Sequence, residues 1–139
     1  MNISENIKKI HEEVTTWRHE LHANPELCYE ENWTSDFISE KLKSFGMEVC
    51  NGIGKTGVIG VLRGSGFQTN KSNRSIGLRA DMDALPIEEE NDFDYKSKFL
   101  GKMHACGHVG HVAILLGAAK ILSKEKNFSG TVYFIFQPA

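Results

Sequence analysis

Three cysteines in 139 residues, none in a Cys-x-x-Cys pair, leave little from which a disulfide framework could be built. Cys28, Cys50 and Cys106 are also odd in number, and a reducing cytoplasm suits them. Long apolar runs are missing too. Nothing approaches the ~18 residues that a membrane span requires. The first residues mix Lys8 and Lys9 with Glu5, Glu12 and Glu13, so neither membrane insertion nor export is expected. Basic excess is the third absence. Sixteen Lys and Arg against 18 Asp and Glu give a formal net charge of -2, and their scatter along the chain offers no basic face to a nucleic acid.

What is present suits an ordinary globular chain, with 40% hydrophobic and 24% charged residues. Ile3, Ile7, Ile10, Val14, Trp17 and Leu21 recur in steps of four and three, which predicts one apolar stripe on a helix ending near Asn24-Pro25. Trp33, Phe37, Ile38, Leu42 and Phe45 predict a second helix, stopped at Gly46, a residue suited to a left-handed cap. The period then changes. Met47 to Cys50, Gly57 to Leu62 and Ile76 to Ala80 are short apolar runs bounded by turn residues and predict strands. Gly64 to Ser75, poor in apolar residues, reads as an exposed hairpin loop. His111 to Leu122 is apolar all round and predicts a buried helix, and Thr131 to Phe136 predicts a strand covered on both faces. Strand, helix, strand implies an α/β layer with a partly parallel sheet.

Gly52-Ile53-Gly54-Lys55-Thr56-Gly57 matches a dinucleotide fingerprint, and its second half resembles the end of a phosphate loop. Both need a helix to follow, whose amides meet the anion, whereas Val58, Ile59, Val61 and Leu62 continue as a strand. A plain turn between strands is expected.

Two carboxylates, Asp81 and Asp83, directly follow an apolar strand, where α/β proteins build their sites, although a turn before Pro86 explains them equally well. Glu88, Glu89 and Glu90 read as a solvated acidic loop, and His19 and His22 as surface or capping residues. The strongest local signal is His104-Ala105-Cys106-Gly107-His108-Val109-Gly110-His111, where three histidines and a thiol suit zinc, manganese or a related ion. In an extended segment, residues two apart point the same way. Cys106 and His108 could therefore close on one ion, with further donors from elsewhere in the chain.

Taken together, Trp17-Arg18-His19-Glu20-Leu21-His22, Asn24-Pro25-Glu26-Leu27, Lys55-Thr56-Gly57, Leu78-Arg79-Ala80-Asp81-Met82-Asp83-Ala84-Leu85-Pro86, Met103-His104-Ala105-Cys106-Gly107-His108 and Phe136-Gln137-Pro138-Ala139 resemble, in order, the signatures of one family. It is the amidohydrolase branch of the aminoacylase and carboxypeptidase metallopeptidases, which includes hippurate hydrolases, auxin-conjugate hydrolases and N-acyl-L-amino acid amidohydrolases. The resemblance implies a partial catalytic domain of α/β/α type, a mixed sheet flanked by helices, with residues 1–139 as its N-terminal part and a smaller lid or dimerisation domain absent. It implies Cys106 and His108 as metal ligands, Asp81 as the acidic residue supporting catalysis, two divalent ions (manganese or zinc), an N-acyl amino acid or dipeptide-like substrate, and a homodimer for the complete enzyme. Val109 and Val112 stand where the family usually has Asp and Thr. Val109 cannot orient a neighbouring ligand by hydrogen bonding, which is expected to cost ~10-fold or more in metal affinity or rate. The family's glutamate pair, which supplies a general base and a ligand, follows the segment matching Gln137-Pro138-Ala139, so the 139 residues alone are expected to be inactive and marginally stable. A non-catalytic metal-binding or interaction remnant is the alternative.

Overall fold

The computed structural model describes residues 3–66 and 74–138. Seven elements follow one another: α1 (Ile3–Ala23), α2 (Asn32–Ser44), β1 (Glu48–Ile53), β2 (Gly57–Arg63), β3 (Ser75–Asp81), α3 (His108–Glu125) and β4 (Thr131–Gln137). Each expected helix and strand forms, with bounds shifted by a few residues.

The stripe of α1 buries Ile10, Trp17 and Leu21, and the helix stops where Asn24 bonds back to Glu20 and Leu21 ahead of Pro25. At the other end of the following turn α2 lacks a capping side chain of its own. The Glu26 carboxylate takes that role, accepting from the Trp33 and Thr34 amides at 3.0 and 2.8 Å. Gly46 closes α2 at φ +75, and the Met47 amide reaches the Leu42 carbonyl at 3.2 Å, the pattern of a left-handed glycine cap.

The Gly-x-Gly-x-x-Gly segment is the turn of the antiparallel β1–β2 hairpin, with Gly52, Gly54 and Lys55 at positive φ. A Cβ at Gly57 would lie 2.4 Å from the Ile53 carbonyl oxygen, so close backbone approach, and no bound anion, accounts for the glycine there.

Strand order is β1-β2-β4-β3, with β4 antiparallel to β2 and parallel to β3. The expected hairpin across Gly64 to Ser75 is therefore corrected, because β4 pairs with both flanking strands and keeps them apart. Positions 67–73 of that stretch lie outside the described residues. A local run of polar residues shows that a loop occurs but carries no information on which strands it joins as neighbours.

Val58, Leu62, Val132, Phe134, Phe136 and Ala80 point to one face of the sheet, where they pack with Ile38 and Leu42 of α2 and Val112, Leu116 and Ala119 of α3. All of this core lies on the helical side. The opposite face is thinly covered: Tyr133 is 38% exposed and Ile135 and Ile59 are half-buried, so the expected burial of β4 on both faces is corrected to one.

Candidate metal centre

Asp81 is the last residue of β3, and the Met82 amide extends the ladder by donating to the Gln137 carbonyl at 3.0 Å. Residues 82–107 then leave the sheet without a regular element and return as the N-terminus of α3. A bridge between Leu27 and Ala84 ties the start of this excursion to the body, and one between Leu85 and Met103 ties its two ends together. The carboxylates after β3 are thus brought against the first turn of α3, whose free amides favour negative charge.

Gly107 takes φ +98 as the residue before the helix, and His108 is already helical. The backbone bends at Gly107, as a glycine there allows, and this left-handed residue sets the directions of Cys106 and His108 in place of a two-residue repeat. Cys106 is a free, exposed thiol. His108 is held from one side, with Nδ1 donating to Asp83 Oδ1 at 2.8 Å and lying 3.2 Å from the Asp83 carbonyl oxygen. The other ring nitrogen, Nε2, is turned to 3.9 Å from Asp81 Oδ2 and in the neutral ring is the one that carries the lone pair.

The donor chemistry fits a metal. Imidazole, thiol and carboxylate groups would suit a divalent ion, and a carboxylate on the far nitrogen is the usual support for a metal-bound imidazole. Asp83 supplies the orienting bond that Val109 cannot give. Val109 itself is buried in the core. Among the described residues no three His, Cys, Asp or Glu side chains are grouped closely enough to enclose an ion together.

Behind this centre lies a polar cluster that the sequence reading missed. His22 is buried, and its Nε2 donates to Glu89 Oε1 at 2.9 Å, with side chains 5% and 3% exposed. Glu89 also accepts from Asn91 Nδ2 at 3.0 Å and from the Ser97 amide at 2.6 Å. Burial raises the Glu89 pKa, but these hydrogen bonds outweigh it and hold the carboxyl below its ordinary range. Both earlier expectations are corrected: His22 is interior, and Glu89 anchors the loop from within, while Glu88, itself exposed, accepts from the Gly101 amide and Glu90 is exposed. The spacing of three between His19 and His22 put them on one helix face, and that was the available signal. His19 stacks on Tyr95 at 3.6 Å, and Tyr95 on Phe93 at 4.2 Å. His104, buried beside His22, has its pKa pushed down to about 4, chiefly by burial and then by His22 and His108.

The fold thus places a helix-terminal histidine and two carboxylates at the C-terminal end of a strand in a mixed sheet. Residues 77–139 match peptidase family M20/M25/M40. Over its whole length the chain is 47% identical to thermostable carboxypeptidase 2 of Saccharolobus solfataricus, covering 36% of that protein. It is 46% identical to the N-acyl-L-amino acid amidohydrolase of Geobacillus stearothermophilus, over 97% of this chain and 36% of the relative. The YXEP protein of Bacillus subtilis, a dinuclear metal binding peptidase from the M20 family, superposes with TM-score 0.86 at 39% identity, over 95% of this chain and 36% of that one. The match to the M20 family model and the likeness to these relatives thus extend over a chain that spans about a third of their length.

Proposed function

We propose that these residues form the N-terminal part of the catalytic domain of a metal-dependent amidohydrolase that cleaves the amide bond of N-acyl amino acids. The observation carrying this reading is His108, fixed through Nδ1 by Asp83 and turned through Nε2 toward Asp81. The relatives include a carboxypeptidase and an N-acyl-L-amino acid amidohydrolase, and an N-acyl amino acid or dipeptide-like substrate suits this chain.

Cys106 and His108 would hold divalent ions, manganese or zinc, with Asp81 as the acidic residue beside them. Such ions polarise the scissile carbonyl and acidify water. The chain's own contribution is to hold the His108 ring plane through Asp83, to turn Nε2 toward the strand end, and to place negative charge from Asp81 there. A smaller lid or dimerisation domain, and a homodimer made through it, are proposed for the complete enzyme. Three free cysteines suit a reducing cytoplasm, and among the described residues no helix is long and apolar enough to cross a membrane.

A chimera tests the reading. The 139 residues replace the matching third of the Geobacillus amidohydrolase, and metal-dependent hydrolysis of N-acetyl and N-benzoyl amino acids is measured with and without Cys106→Ala. Turnover that depends on Cys106 supports it, and a folded, ion-loaded chimera without turnover sinks it. The 139 residues alone should show no turnover with manganese or zinc, since no general-base glutamate is assigned among them. The second reading, a non-catalytic metal-binding remnant, draws on the lack of a three-donor group among the described residues. It predicts ion uptake by the chimera but no hydrolysis.

A further inference from the structure

We propose that Arg79 is a positioning residue that selects which oxygen of Asp81 faces His108. The inference rests on the metal-site reading above and assigns a residue to it. Arg79 and Asp81 stand two apart on β3 and so share a sheet face, and in the parallel pairing Asp81 lies opposite Gln137 of β4. Register alone brings the three side chains together.

The guanidinium bridges them. Its Nε donates to Gln137 Oε1 at 2.6 Å, and its Nη2 donates to Asp81 Oδ1 at 2.5 Å. One carboxylate oxygen is thereby occupied, and the other, Oδ2, is the one 3.9 Å from His108 Nε2. Without the clamp the carboxylate could rotate about its terminal bond, which has no sharply preferred angle. Planarity matters here as much as charge, because a fork of N–H donors fixes direction where an ammonium supplies only a point charge. The same contact would be of little value to stability, since the Arg79 side chain is 53% exposed and an exposed ion pair contributes little. Such a pair is better explained by orientation than by fold.

The test uses the metal-free 139-residue chain first. Labelled with nitrogen-15, the Arg79 Nε–H and Nη2–H should exchange with solvent at least tenfold more slowly than those of a free arginine, Gln137→Ala should remove the protection at Nε–H, and Asp81→Asn that at Nη2–H. Exchange at the free rate in the parent chain overturns the proposal. Manganese affinity is then measured in the parent chain, Arg79→Gln, Arg79→Lys, Asp81→Asn and the Arg79→Gln/Asp81→Asn pair. Loss of an orienting partner should weaken binding ~10-fold, lysine should not restore it, and Arg79→Gln should add nothing once Asp81→Asn is present. Full rescue by lysine, or additive losses in the pair, overturns the positioning role. Protection of Nε–H and Nη2–H with no manganese uptake by any form upholds the clamp on Asp81 and sinks the metal-site reading instead.

Discussion

A single carboxylate, Asp83, settles what His108 can do, because bonding at Nδ1 fixes both the tautomer and the direction of Nε2. Asp83→Ala should therefore lower manganese or zinc affinity of the chain by ~10–100-fold while leaving its circular dichroism unchanged, as checked by calorimetric titration. His104 gives a second residue-scale prediction. Its folded pKa is about 4 against an ordinary 6.5, so the unfolded chain takes up a proton that the folded chain refuses. Stability is then complete above about pH 6.5 and falls as pH drops toward 4. Urea midpoints measured across that window should fall on acidification, and His104→Phe should flatten the slope. An unchanged slope would place the acid sensitivity elsewhere.

Elements depend on groups that are distant in sequence. Since α2 takes its cap from Glu26 across the intervening turn, Glu26→Ala should cost about 0.5–2 kcal/mol, read as a lower urea midpoint with an unchanged m-value, and Glu26→Gln should cost less. A local search for Ser, Thr, Asp or Asn before the helix could not have found this cap, because Glu31 occupies that position without capping. Gly46, by contrast, was legible: an apolar stripe that ends at a glycine is enough to predict a left-handed stop. The long excursion 82–107 shows the opposite case. Three adjacent glutamates look alike in sequence, and only the approach of α1 with His22 decides that Glu89 turns inward.

At the scale of the molecule the sheet carries its core on one side. Phe134 is fully buried between the sheet and the helices, and Phe134→Ala should destabilise by roughly 3–5 kcal/mol, enough to unfold a marginal chain at 37 °C. The face bearing Tyr133, Ile59 and Ile135 is the other consequence of this asymmetry. Concentrated solutions should self-associate through it, and Tyr133→Lys with Ile135→Lys should shift the sedimentation of the chain toward the monomer without lowering its thermal midpoint.

Periodicity in the sequence determined the helices and strands, because side-chain alternation along a helix or strand is set by local backbone geometry. The density of His and Cys between residues 104 and 111 likewise singled out a candidate centre without any fold. Strand order, the single covered face, the turn at Gly107 and the partnerships Asp83–His108, Glu89–His22 and Arg79–Asp81–Gln137 were decided only in three dimensions. Each of those depends on which distant segments come to lie side by side, and burial and hydrogen-bond direction exist only once they have.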